Sequence, residues 1–405
     1  MLVVNSDLGK NCQYLTGLFD NMQLIIDATN IKAGGGLTHL RELLSTNGPV
    51  NAGFKEVFVW APDDTLEKIP AANWLVKCPH PWLNSHYMKL WRWKKQVLPR
   101  FVQEKQALLF IPGTGSSPFP YVTMCRNLLP LDKKEMNRYF PSIAWLRLSL
   151  LRFLHLAAYR RAAGVIFLNE YCRKVLPASV GTQIKQTAII PHGLNPRFLR
   201  SKDNAPRRQT FTPEFPFRLL YVSIINVYKH QWQVAEAVFQ LNQEGFYIQL
   251  DLIGPSYPPS LRKMEKIMKK YDYAPTVIYH GKVPYELLHK FYQKADGYIF
   301  ASTCETYGMV LTEAMAAALP IACSNHSSMP ETAGDAAIYF NPLSLESTKT
   351  AIVRLYENDA LREELSCKSL EKASSLSWDK CAEETFSFLA EVSGQIFKPL
   401  VKLNS

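Results

Sequence analysis

Twelve short apolar runs, each bounded by polar or helix-forming stretches, constrain this chain more than any other feature. Six fall in the first half, at 22–27, 57–60, 107–110, 121–124, 165–168 and 188–190. Six more fall in the second, at 218–222, 248–253, 277–279, 298–300, 321–323 and 337–340. Runs of this kind suit strands buried on both faces, and the helical stretches between them supply the crossovers that parallel pairing needs. The pattern predicts an α/β chain with two doubly wound, Rossmann-like parallel sheets, whose ligands collect outside the carboxyl ends of the strands. A length of 405 residues is enough for two such cores. Between them, 201–216 is rich in Pro, Arg and Thr without a period and reads as a linker. The expected layout is a first domain over 22–199, a linker over 200–216 and a second domain from 217 to 385. Residues 1–21 have no clear period and read as a polar leader, with Met22 as a candidate start.

The net charge of +11 is lopsided. Residues 1–200 carry 25 Lys/Arg against 12 Asp/Glu, and residues 201–405 carry 21 against 23. A basic first half points to an anionic surface such as lipid headgroups; nucleic acid is not expected, because no recognition fold accompanies the charge. Eight cysteines without a C-x-x-C pair indicate neither a zinc site nor a disulfide framework, and fit a cytoplasmic protein. The first thirty residues lack the basic start and long apolar core of a secretory signal. The longest apolar candidate for a membrane span, 143–158, is broken by Arg147 and Arg152.

The richest stretch for chemistry is 297–340. A buried strand delivers Ser302 to Gly308 into a loop, and the helix that follows, expected over 310–318, carries Thr312 and Glu313 near its start. Strand, glycine loop and helix N-terminus together make an anion site, because unpaired N–H groups and the positive dipole end face one point. Glu305 and Glu313 stand eight apart, a spacing that Glu236/Glu244, Glu363/Glu371 and Glu383/Glu391 also have. Only at Glu305 does a strand precede the pair, a glycine lie within it, and a second turn follow with Pro330-Glu331 and Gly334-Asp335. The plain alternative is an ordinary strand–helix unit with two solvated glutamates. With that context the block resembles the donor-site signature of the retaining glycosyltransferases of family four, which have the GT-B fold and an E-x7-E motif.

The resemblance runs from about Met22 to Val392 and is strongest in the second half. It implies that the last helix crosses back, so that a tail over 386–405 packs on the first domain, with Ser377-Trp378 at the entry to that helix. It implies a donor site in which Glu305 contacts the sugar, the backbone of Thr306, Tyr307, Gly308, Met309 and Val310 holds sugar and diphosphate, and Glu313 accepts from ribose hydroxyls. Gly34, Gly35 and Gly36 lie between the first strand and a helix, as in loops that approach a diphosphate closely, and match the family's glycine-rich loop; a flexible first turn is the alternative. His39 and Arg41 on that helix read as exposed polar residues, and His192 as a structural residue between domains.

Two departures stand out. Where the family often has His followed by Asn or Pro, this chain has Arg126 and Asn127. Arg126 suits a phosphate or an acceptor carboxylate and Asn127 a sugar hydroxyl, while a loop Arg followed by an Asn turn is equally open. Where the family has Gly-Arg and then a Lys, only Lys229 is present, with Ser223 and Ile224 in place of the pair and Asn226 as an added hydrogen-bonding group. Lys282 is a further diphosphate candidate at a strand end. Two segments, 86–95 and 138–161, mix Trp, Tyr and Leu with cations at helical spacing, and read either as helices in a headgroup layer or as core-facing helices with a solvated basic face.

The function implied is retaining transfer of a sugar from a UDP-, GDP- or ADP-linked donor to a glycan or lipid-linked acceptor, in bacterial cell-surface polysaccharide, lipopolysaccharide or capsule synthesis. No D-x-D pair occurs in the chain, which favours a metal-free route, and no cofactor is expected. The cytoplasm, with peripheral contact on the inner membrane face, is the expected location. A sugar-nucleotide epimerase of the same fold and a non-catalytic membrane-associated binding protein are the alternatives.

Overall fold

The computed structural model describes residues 22–200, 210–271 and 276–397. The expected leader, residues 201–209 of the expected linker and residues 398–405 of the expected tail lie outside the described residues.

The first sheet has seven strands: β1 (Met22–Asp27), β2 (Phe54–Trp60), β3 (Leu75–Cys78), β4 (Leu108–Ile111), β5 (Tyr121–Met124), β6 (Gly164–Phe167) and β7 (Thr187–Ile189), in the order 3-2-1-4-5-6-7. The second has six: β8 (Phe217–Val222), β9 (Ile248–Ile253), β10 (Val277–Tyr279), β11 (Gly297–Phe300), β12 (Ile321–Ser324) and β13 (Ala337–Phe340), in the order 10-9-8-11-12-13. All pairings are parallel, with Leu24 opposite Val57 and Leu108, and Leu220 opposite Asp251 and Tyr298. Each strand order reverses at one place, β1/β4 in the first sheet and β8/β11 in the second, and those two crevices are where a ligand fits between diverging loops.

Ten strands of the expected kind are mostly buried; β7 and β10, three residues each, lie at the sheet edges and are more open. The strand with no counterpart in the sequence reading is β3, Leu-Val-Lys-Cys, on the other edge. An edge strand of four residues tolerates Lys77, whose ammonium donates to the Leu66 and Ile69 carbonyls (2.7 and 2.8 Å), and it shows neither a long apolar run nor a period.

Alternate residues of the first sheet serve two layers. Leu24 and Ile26 pack with helix α1 (Gly35–Leu44), through Leu40 and Leu43, and Ile25 and Leu109 pack on the opposite face with α2 (Tyr87–Lys105) and α3 (Ile143–Arg161), through Trp93, Leu98 and Tyr159. In the second sheet, α4 (Met309–Ala316) follows β11 and is buried along nearly all of its length. The last helix, α5 (Trp378–Ile396), crosses back and sets Phe386, Leu389 and Val392 into the α1 layer of the first sheet. Each such side chain contributes roughly 1.5–3 kcal/mol by leaving water. Its approach depends on glycine, since a Cβ on Gly193 would stand 2.4 Å from the Trp378 backbone nitrogen and one on Gly164 2.9 Å from the Phe388 ring.

Candidate active site

Three loops meet at the two switch points. The turn after β1 supplies Gly34 to Gly36. Gly34 has φ +66° and caps α1, which only glycine does without strain. Gly35 and Gly36 face the cleft. A Cβ on Gly35 would touch the Met309 sulfur at 3.3 Å, and one on Gly36 would meet the Arg126 guanidinium at 3.6 Å. The glycine turn, Arg126 and the start of α4 therefore enclose one space. Gly308, at φ +80°, turns the chain into α4, and Leu311 and Thr312 donate back to its carbonyl, so the N–H groups of Met309 and Val310 precede the first intrahelical bond.

The second sheet contributes a charged pair. After β8 the chain makes a short turn, Val227–Lys229, capped by the Asn226 side chain, which accepts from the Val227 N–H at 2.8 Å. That turn is fastened to the loop after β11: the Thr303 N–H donates to the Tyr228 carbonyl at 2.9 Å, and His230 Nε2 lies 3.2 Å from Thr303 Oγ1. Lys229 is thereby buried, and its ammonium is ion-paired with the Glu305 carboxylate. Glu305 is held at its backbone as well. Its N–H donates to Ser327 Oγ (2.9 Å), and its carbonyl accepts from Ser327 Oγ (2.8 Å) and Ser328 Oγ (3.0 Å). The backbone and the carboxylate of Glu305 are held by separate contacts.

Arg126 is a cation without a carboxylate among the described residues. Its guanidinium donates to the Pro112 carbonyl at 3.3 Å, no acid pairs with it among the described residues, and burial lowers it to about 10, so it stays charged at neutral pH. Behind it lie His39 and His192, ring centroids 4.7 Å apart, with Trp378 and Cys381 completing the group; the ligand atoms of His39, His192 and Cys381 lie within 4.8 Å of one another. Burial holds both imidazoles well below their ordinary range and hence neutral, helped at His39 by His192 and then Arg126, and at His192 by Arg126. His39 is therefore fully buried where an exposed position was expected, because α1 turns this face toward α5 and not toward water. Arg41 is half-buried and pairs with Glu42 at 2.9 Å. His192 lies at the seam between the sheets, its carbonyl accepting from Tyr307 Oη at 3.2 Å.

Glu313 is buried, not solvated, and its Oε2 accepts from Tyr292 Oη at 3.0 Å. Burial pushes its carboxyl up from 4.5 to about 8, with Tyr292 and Arg197 pulling the other way. A folded-state value above the unfolded one means that the native protein keeps a proton the unfolded chain has lost. The stabilisation is complete below about pH 4.5 and disappears as the pH rises to about 8. Urea denaturation across that window is expected to show stability falling by up to ~1.4 kcal/mol per pH unit from this group, and Glu313→Gln is expected to flatten the profile.

The other predicted residues divide. Thr306 lies in the cleft, its carbonyl accepting from Asn169 Nδ2 (2.7 Å) and its hydroxyl 3.4 Å from the Arg126 carbonyl. Tyr307 points its ring into the first domain. Asn226 reaches across the cleft and accepts from Tyr139 Oη at 2.9 Å. Asn127 is exposed and closes a turn by accepting from the Leu129 N–H at 3.2 Å, Ser223 is half-buried with its N–H donated to Ile253, and Lys282 is exposed with no ion pair among the described residues. These three are not drawn into the charged group around Glu305.

Several contributors were not singled out from the sequence. Ser327 and Ser328 hold Glu305, Asn169 and Tyr139 span the cleft, and Glu331 accepts from the N–H groups of Glu170 and Tyr171, both at 2.8 Å, at the opposite helix start. Glu331 lay in a turn already marked by Pro330. The rest are common polar residues whose use depends on what the fold brings opposite them.

Comparison with known proteins bears on the fold and on the second half of the chain. The family model described as "Glycosyl transferases group 1" matches residues 203–371. The O-antigen chain mannosyltransferase B of Escherichia coli is 32% identical over 109 residues, 27% of this chain and 29% of that protein. The matches span less than half the length of the curated relatives. Among solved structures, sucrose-phosphate synthase from Thermosynechococcus elongatus superposes with a TM-score of 0.74 at 17% identity, covering 92% of this chain and 100% of that one. Anabaena HepE in complex with UDP and glucose superposes with a TM-score of 0.62 at 14% identity, covering 91% and 100%.

Proposed function

From a chain whose residues 203–371 match the model of the group 1 glycosyl transferases and whose two facing sheets make the GT-B fold, we propose a glycosyltransferase acting on a nucleotide-diphosphate sugar. The observation that carries this reading is Arg126, a charged guanidinium without an acid partner among the described residues, set against the Gly36 turn and near the N-terminus of α4. A diphosphate supplies the missing anion. Arg126 and the N–H groups of Met309 and Val310 bind its oxygens, and Lys229, in the next turn, takes up charge on the leaving group as the bond to the sugar breaks. Glu305 is at the right loop to accept from hydroxyls of the donor sugar. Glu313, deeper in α4, is the group for the ribose.

Departure of the diphosphate leaves positive character on the anomeric carbon, and the acceptor hydroxyl attacks on the same face while a leaving phosphate oxygen takes its proton, so configuration is retained. Cations and backbone N–H groups suffice to balance the leaving charge in this arrangement, which supports a route without a metal. A neighbour that binds UDP and glucose makes UDP-sugars the first donors to examine, and the mannosyltransferase relative supports a cell-surface glycan or lipid-linked acceptor.

A thermal-shift screen of UDP-, GDP- and ADP-sugars tests the reading. One base is expected to stabilise the protein by about 2.7 kcal/mol at a hundredfold its Kd, with transfer unaffected by EDTA and the product anomer matching the donor. Stabilisation by none of the three classes would overturn the donor assignment.

A further inference from the structure

The helix layer on the α2/α3 face of the first sheet has an outer side built like an inner one. In α3, Leu148, Ala158 and Tyr159 are buried against the sheet, yet Ile143, Leu146, Leu150, Phe153 and Leu154 are between 49% and 86% exposed. Their spacing of three and four residues makes one continuous stripe, which Phe140 extends at its start. A helix that is apolar on all sides is ordinarily buried on all sides, and among the described residues this one has a protein partner on only one. In the same layer α2 buries Trp93 and leaves Tyr87, Met88 and Trp91 in solvent.

Charge identifies the missing partner. Residues 136–169 contain five arginines and no Asp or Glu, and residues 68–103 contain seven Lys/Arg and again no acid. Arg147 lies within the apolar stripe of α3, Arg160 and Arg161 are exposed at the end of that helix, and Lys89, Arg92 and Lys95 are exposed beside the aromatic residues of α2. We propose that this layer rests on a bilayer surface carrying anionic headgroups. The apolar side chains enter the acyl boundary, and the guanidinium and ammonium groups reach back to phosphates. A second copy of the chain would bring an equally positive face and be repelled. No helix among the described residues is long and apolar enough to cross a membrane, so the contact is peripheral.

The placement has a consequence for access. Tyr139, just before the stripe, is bonded to Asn226, the cap of the Lys229 turn, so the stripe begins at the rim of the cleft. An acceptor carried on a lipid then reaches the cleft without leaving the bilayer. That last step rests on the proposed transfer reaction; binding to vesicles does not, so the two fail separately.

The test is sedimentation with vesicles of phosphatidylcholine plus phosphatidylglycerol against phosphatidylcholine alone. The full chain is expected to bind the anionic vesicles, to be released by salt, and to lose at least ~10-fold in partitioning with Ile143→Ser/Leu150→Ser/Phe153→Ser. These side chains are exposed, so the melting temperature should hold. Should the triple variant fold poorly, Arg147→Glu/Arg161→Glu carries the same expectation. Equal binding to neutral vesicles, unchanged binding by the variants, or a lipid-free dimer that the variants abolish would each overturn the proposal.

Discussion

Replacing Glu305 with alanine is expected to lower turnover by at least ~100-fold, the loss that follows from removing one contact made in the transition state. The loop itself stays in place, because Ser327 and Ser328 hold the backbone of residue 305 independently of its side chain. The alanine variant also leaves Lys229 buried without its acid, and breaking such a pair costs about 3–5 kcal/mol. Glu305→Gln separates the two effects, since the amide keeps an acceptor near Lys229 and loses only the charge. We expect the glutamine variant to retain most of its stability and still to lose turnover, while the nucleotide diphosphate binds as tightly as before or more tightly, the ammonium being free for phosphate. Wild-type turnover in both variants would remove Glu305 from the reaction.

Lys229→Met is expected to act on the other side of the same pair. A charge-assisted hydrogen bond to phosphate contributes about 1.5–3 kcal/mol, so affinity for the nucleoside diphosphate should fall roughly 10- to 100-fold, with turnover falling further because leaving-group charge grows along the reaction. The methionine keeps much of the packing of the aliphatic stem, which lies beside the rings of Tyr228 and Phe300, with the ammonium 5.1 and 5.0 Å from their centres. Titration calorimetry with the diphosphate reads the binding loss directly. Unchanged affinity would mean that Lys229 serves only to hold Glu305.

The pair also explains how the departure from the family's Gly-Arg pattern at Ser223 and Ile224 is met. On the proposed reading, the charge that an arginine would bring after β8 comes instead from Arg126 of the first domain, whose guanidinium lies beside the Gly36 turn on the same side of the cleft. Loss in one loop and gain in another are visible as two isolated oddities in the chain, and only the closed cleft makes them one feature.

Strand content was legible because twelve of the thirteen strands coincide with short apolar runs, and only buried parallel pairing produces such runs at this frequency. β3 escaped notice because an edge strand of four residues is free to carry Lys77. The strand–glycine–helix block around Glu305 was legible for a similar reason: backbone geometry at Gly308 demands a particular residue type, and that demand is local. His39 was misread as exposed because helical periodicity assigns a face but not what covers it, and the cover, α5, comes more than three hundred residues later.

What the chain by itself determined, then, are the things that depend on neighbours in sequence: alternating strands and helices, the left-handed glycine turns, the anion-seeking start of α4. Tertiary structure alone decided that Lys229 meets Glu305, that Glu313 is buried enough to hold its proton, and that, among the described residues, Arg126 has no acid partner and the outer side of α3 is uncovered. The physical reason is that backbone conformation is set by steric terms acting over a few residues, whereas burial and charge pairing depend on through-space distance between segments whose separation along the chain carries no information about it.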